Sequence, residues 1–112
     1  MNKCKIIFFG SPYYAIPILE KIISLGHNVV LVISQGTKEV KRGKLQGTAV
    51  SEFCKSKNIR CITPENIDKC CINEISSCNA DVGIIYAYGK LIPIDVIKMF
   101  RSGIMNLHCS LL

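Results

Sequence analysis

Two short apolar runs separated by a helical repeat constrain the fold of this 112-residue chain more than any other feature. Lys5-Ile6-Ile7-Phe8-Phe9 stops at Gly10-Ser11-Pro12 and reads as a buried strand with a turn at its carboxyl end. The next segment carries Ile16, Leu19, Ile22 and Ile23 at helical spacing, tolerates Pro17 only in a first turn, and meets a stop at Gly26. Residues 29–33 are continuous and rich in β-branched side chains, the pattern of a strand covered on both faces. Strand, apolar crossover and strand make a βαβ unit, so the expected class is α/β: a Rossmann-like, open, mostly parallel sheet. His27, just past the helix stop, reads as a packed turn residue rather than a ligand.

The same reading carries the rest of the chain. Residues 34–47 are polar and hold three glycines, so a loop is expected there. Thr48 is placed to cap a helix with Val50, Phe53 and Cys54 inward, ending near Asn58. A brief third strand is expected over 60–63, a weak helix over 70–77 with Ile72 and Ile75 inward, and a continuous fourth strand over 82–86. A helix over 94–100, with Val96, Ile97 and Phe100 inward, leads to Gly103, where a fifth strand begins with Ile104 and Met105 buried.

Composition bounds the function classes. One domain fits the length, and 49% hydrophobic against 20% charged residues supports a real core. No apolar run approaches the roughly 18 to 20 residues needed to span a bilayer, and the opening run to Phe9 is too short for a signal peptide. A chain that neither spans nor is exported is the expectation. Seven cysteines are an odd number without a C-x-x-C pair or histidines at ligand spacing, which points to reduced thiols and no metal. The first turn, Gly10-Ser11-Pro12-Tyr13-Tyr14-Ala15, is not G-x-G-x-x-G, so dinucleotide binding is disfavoured, and no Walker A loop is present. The net charge of +6 is concentrated over residues 38–60, where seven basic side chains face two acidic ones. Such a cluster is the electrostatic footprint of a polyanion or else a solvated face.

Two segments carry candidate chemistry. On a strand, Asn106 and His108 point the same way. A neutral imidazole can take a proton from an attacking amine, and a carboxamide N–H can stabilise the oxyanion of a tetrahedral intermediate, a minimal kit for acyl transfer. Residues 87–93 lie at the carboxyl end of the expected fourth strand, where open α/β sheets bind ligands. There Gly89 allows close backbone approach, and Tyr88, Leu91 and Ile92 either wall a flat heteroaromatic ring or pack against the next helix.

The run Asn106-Leu107-His108-Cys109-Ser110-Leu111-Leu112 resembles the Asn-x-His-x-Ser-Leu-Leu signature of the folate-dependent formyltransferases. Three further blocks match in order: Ile6-Ile7-Phe8-Phe9-Gly10-Ser11-Pro12, Gly26-His27-Asn28-Val29-Val30 and Tyr86-Ala87-Tyr88-Gly89-Lys90-Leu91-Ile92-Pro93. The resemblance covers residues 5–112 and is strongest to the methionyl-tRNA formyltransferase branch. It implies a formyltransferase fold that stops after its fifth strand, with residues 1–112 as the amino-terminal part of a catalytic domain. The implied reaction moves a formyl group from 10-formyltetrahydrofolate, a co-substrate, to the amino group of methionyl initiator tRNA, without a metal. By the same resemblance Asn106 and His108 are catalytic. Tyr88, Gly89, Leu91, Ile92 and the main chain of Ser110, Leu111 and Leu112 meet the folate, and Lys38, Lys41, Arg42 and Lys44 meet the tRNA. Gln35-Gly36-Thr37 departs from the usual Gln-Pro-Asp, and loss of the proline leaves that loop less constrained.

The family continues with an aspartate that orients the histidine, more strands and an RNA-contacting domain. The 112 residues alone are therefore expected to be inactive, because the carboxylate fixes the imidazole's tautomer. A monomer in full-length form, located in a bacterial cytoplasm or an organellar matrix and without a membrane partner, is expected. Two other readings stand beside this one: another formyl-folate transferase or hydrolase of the same fold, and a non-catalytic folate- or RNA-binding module. The basic segment favours the first reading.

Overall fold

The structure is a computed structural model that describes residues 3–36, 38–41 and 43–107. In chain order it contains β1 (Lys5–Phe9), α1 (Ile16–Ser24), β2 (Asn28–Ile33), β3 (Lys38–Lys41), β4 (Lys44–Gln46), α2 (Ala49–Lys57), β5 (Cys61–Ile62), α3 (Lys69–Ser77), β6 (Val82–Ile85), α4 (Ile94–Ile97) and β7 (Ile104–Asn106). Five strands form one parallel sheet in the order β5-β2-β1-β6-β7, and β3 pairs with β4 in a separate antiparallel hairpin. The chain leaves β1 toward β2 and β5 on one side, then crosses over to β6 and β7 on the other. The carboxyl ends of β1 and β6 therefore flank a topological switch point, the place where such sheets open a crevice.

Period-two alternation along the strands divides the core into two layers. Ile7, Phe9, Leu31 and Ile33 pack with Cys71 and Ile75 of α3 and with Val96 and Phe100. Ile6, Phe8, Val32 and Ile84 pack on the opposite face with Leu19 and Ile22 of α1 and Val50 and Cys54 of α2. Ile7, Phe8 and Phe9 are wholly inaccessible to solvent, as a central strand with helices on both faces requires. Helix signals in the sequence act where expected. Pro17 lies in the first turn of α1, the Thr48 hydroxyl accepts from Ser51 N–H at 3.1 Å, and Asn58 ends α2 at φ 58. The Asp68 carboxylate caps α3 by accepting from Cys71 N–H at 3.1 Å.

Three expectations are corrected. The segment expected as a loop holds the β3–β4 hairpin, with Lys38 opposite Gln46 and Lys41 opposite Lys44 around a turn at Gly43. Residues 38–46 hold no continuous apolar run, so the pattern that marks the buried strands is missing from that segment. Helix α4 is one short turn, and Ile97 is 40% exposed rather than inward. Met105 is 54% exposed and Ile104 only half-buried, because β7 forms the edge of the sheet.

The cysteines among the described residues that this structure characterises are free thiols, and the neighbouring Cys61 thiol together with burial pushes the Cys54 thiol up. Among the described residues no helix is long and apolar enough to cross a membrane, and no group of three or more His, Cys, Asp or Glu gathers as a metal site.

Candidate active site

A crevice of about 480 Å³ opens at the carboxyl ends of the central strands. Ser11 and Pro12 line it from the end of β1, Gln35 from the end of β2, Gly47 and Thr48 from the start of α2, and Ala87 and Gly89 from the end of β6. Strand register brings these segments together: Phe9 pairs with both Ile33 and Ile85, so three chain turns begin at one level of the sheet.

The wall on the β1–β2 side is hydrogen-bonded throughout. Ser11 Oγ donates to the Tyr88 carbonyl at 3.0 Å and accepts from Gln35 N–H at 3.2 Å. Ser34 is fully buried and its hydroxyl lies 2.5 Å from that of Thr48, which ties the end of β2 to the cap of α2. The Ser11 carbonyl accepts from Val50 N–H at 3.1 Å, and Ser11 N–H donates to the Ala87 carbonyl at 3.2 Å. A short polar residue suits each of these positions, because a buried hydroxyl must find a partner.

The turn after β6 has a particular backbone. Ala87 has φ 56 and Gly89 φ 89, the left-handed region that disfavours ordinary side chains. A Cβ on Gly89 would collide with the Gln35 carboxamide. Between them, the Tyr88 ring is 1% exposed and points into the core, edge-on to Phe9 with ring centroids 5.7 Å apart. Its hydroxyl has no hydrogen-bond partner among the described residues, and burial pushes the phenol up, with Cys71 adding to the shift. The ring expected as a pocket wall is therefore a core residue, and Tyr88 meets the crevice side through its carbonyl. That side chain takes the packing place instead, in the cluster with Phe9, Val96 and Phe100.

The other expected site residues divide by place. Gly89 lines the crevice, Leu91 is 94% exposed, and Ile92 is half-buried against the core. Asn106 is exposed at the end of β7 and pairs in register with Ile85, the last residue of β6. Leu107 N–H donates to the Ile85 carbonyl at 2.8 Å, which fixes β7 against the turn that carries Gly89. His108, Ser110, Leu111 and Leu112 lie outside the described residues, as does Arg42. Lys38, Lys41 and Lys44 belong to the hairpin, whose last strand runs into the crevice lining at Gln46 and Gly47. The remaining basic residues are not part of that group. Lys55 and Lys57 sit in the last turn of α2, and Arg60 pairs with Glu74 of α3 at 3.3 Å.

Ser11, Gln35 and Thr48 were not singled out as site residues by the sequence reading. A signal existed, since each follows the end of β1 or β2 or precedes a helix at that level, and the rule applied to β6 applies equally there.

Residues 4–112 match the family described as Formyl transferase. The chain is 40% identical over 110 residues to a methionyl-tRNA formyltransferase of Fusobacterium nucleatum, covering 96% of this chain and 35% of that one. It is 37% identical over 109 residues to one of Thermodesulfovibrio yellowstonii, covering 96% and 35%. The chain thus spans about a third of the length of the curated relatives it matches. Among solved structures, a phosphoribosylglycinamide formyltransferase from Bacillus halodurans aligns at TM-score 0.64 and 21% identity, over 96% of this chain and 57% of that one. That alignment establishes a shared α/β fold.

Proposed function

Because this chain belongs to the formyl transferase family, we propose that it is the amino-terminal part of a catalytic domain that moves a formyl group from 10-formyltetrahydrofolate to the amino group of methionyl initiator tRNA. The observation that carries the reading is the register of β6 and β7. It sets Asn106 beside the end of β6, from which the Gly89 turn springs, at the carboxyl edge of the sheet. A carboxamide held there can donate to the oxyanion that develops on a formyl carbon presented by a donor against the Gly89 turn. His108 is two residues further along and is assigned the proton of the attacking amine. Gly89 with the exposed Leu91 would take the pterin side of the donor, joined by the main chain of Ser110, Leu111 and Leu112. Lys38, Lys41, Arg42 and Lys44 supply the charge that attracts the acceptor's phosphates, and their hairpin ends in the crevice wall.

The chain spans about a third of the length of its relatives, and in this reading an aspartate of the remaining part orients His108, so formyl transfer is measured on the full-length protein. The place of action would be a bacterial cytoplasm or an organellar matrix, with the longer protein a monomer. The acceptor is tested by tRNA binding at several salt concentrations. Replacing Lys38, Lys41 and Lys44 together by alanine should flatten the dependence of log K on log salt by about 2 to 3, near one unit per lost phosphate contact. An unchanged slope would remove tRNA as the ligand of the hairpin.

A further inference from the structure

Gln35 stands where the hairpin segment and the β6 turn meet. It follows β2 by two residues and precedes β3 by three. Its N–H donates to Ser11 Oγ at 3.2 Å, and its side-chain Nε2 donates to the Tyr88 carbonyl at 2.8 Å. The same carboxamide occupies the space above Gly89, where a Cβ would collide with it. The Tyr88 carbonyl therefore receives two donors, Ser11 Oγ from the end of β1 and Gln35 Nε2 from the end of β2. Between Ala87 at φ 56 and Gly89 at φ 89, that carbonyl sits in a turn whose backbone is costly and persists only where its surroundings over-determine it. The Tyr88 ring, buried in the core, pins the same residue from below. Gln35 carries no acid, base or nucleophile.

We propose that Gln35 is a positioning residue that holds the Ala87–Gly89 turn in the shape that receives the formyl donor. This rests on the reading of that turn as part of the donor site. Both residues line the crevice: the buried Ser11 braces the turn from the end of β1, and the half-buried Gln35 braces it from the end of β2 with the more exposed side chain.

The test is made on steady-state kinetics of the full-length protein with three variants. Gln35→Met keeps the length and removes the donor, Gln35→Glu turns a carboxylate toward the Tyr88 carbonyl, and Gln35→Lys keeps a donor. The KM for 10-formyltetrahydrofolate should rise about three- to tenfold in Gln35→Met, the range of one lost hydrogen bond to a partly buried carbonyl. It should rise further in Gln35→Glu and stay within about twofold of the parent in Gln35→Lys. The kcat and the acceptor KM should hold throughout. A residue that only supports the fold would lower kcat with the folded fraction and leave the donor KM alone. If Gln35→Met does not fold, Glu against Lys still compares repulsion with donation at one position. An unchanged donor KM in these variants overturns the proposal, while a parent protein that shows no saturation with the formyl donor overturns the donor-site reading itself.

Discussion

The two sides of the sheet's carboxyl edge differ in how much of their polar surface is already bonded within the protein. On the β1–β2–α2 side, Ser11, Ser34, Gln35 and Thr48 form a connected set of hydrogen bonds, and Ser34 has no solvent exposure at all. On the β6–β7 side, beyond the crevice lining at Ala87 and Gly89, Leu91 is 94% exposed, Met105 54%, and Asn106 is exposed at the end of an edge strand. A finished wall sets shape, because satisfied buried hydroxyls resist displacement. An exposed wall offers its groups to a ligand. Under the proposed function the first side supplies structure and the second chemistry, and Gly89 is where they touch.

Substitutions along that contact separate the two roles. Gly89→Ala should have the largest effect on stability, about 1–3 kcal/mol, since it adds a left-handed alanine and drives a methyl group into the Gln35 carboxamide. Chemical denaturation measures it, and parental stability would mean that the two walls do not meet there. Thr48→Ala should cost about 1–2 kcal/mol by the same measurement, as α2 loses its cap and the buried Ser34 hydroxyl loses its neighbour. Thr48→Ser should restore most of it, and a Thr48→Ala variant as stable as the parent would show that the bonded wall contributes little.

Tyr88→Phe should act in the other direction and least, raising stability by up to about 1 kcal/mol because it deletes a buried hydroxyl without a partner among the described residues. Formyl transfer should not change, since the ring lies in the core. The pH dependence follows from the raised phenol. Folded Tyr88 keeps its proton where the unfolded chain begins to lose it, so its share of stability is complete below about pH 10 and disappears as pH rises through the folded value. The Phe variant should lose less stability above pH 10, and an identical alkaline curve would contradict the burial of that hydroxyl.

Much of this was legible in the chain. The apolar runs at Lys5–Phe9 and 29–33, the crossover between them and the caps at Thr48 and Asn58 announce the parallel sheet because burial on both faces leaves a continuous apolar signature. The β3–β4 hairpin left no such signature, because residues 38–46 hold no continuous apolar run. Tyr88 was ambiguous for a related reason. An aromatic residue at a strand end serves a core or a pocket equally well, and only the tertiary packing against Phe9 shows which. The bonded wall escaped notice because Ser11, Gln35 and Thr48 are far apart in sequence and meet only through the order of the strands.

The proposed formyl transfer at the carboxyl ends of β6 and β7 is tested most directly by Asn106→Ala. In the full-length protein, single-turnover formylation of methionyl initiator tRNA should slow by about 10² to 10³ with the melting midpoint unchanged, the cost of one missing oxyanion donor. A rate equal to that of the parent would contradict the account.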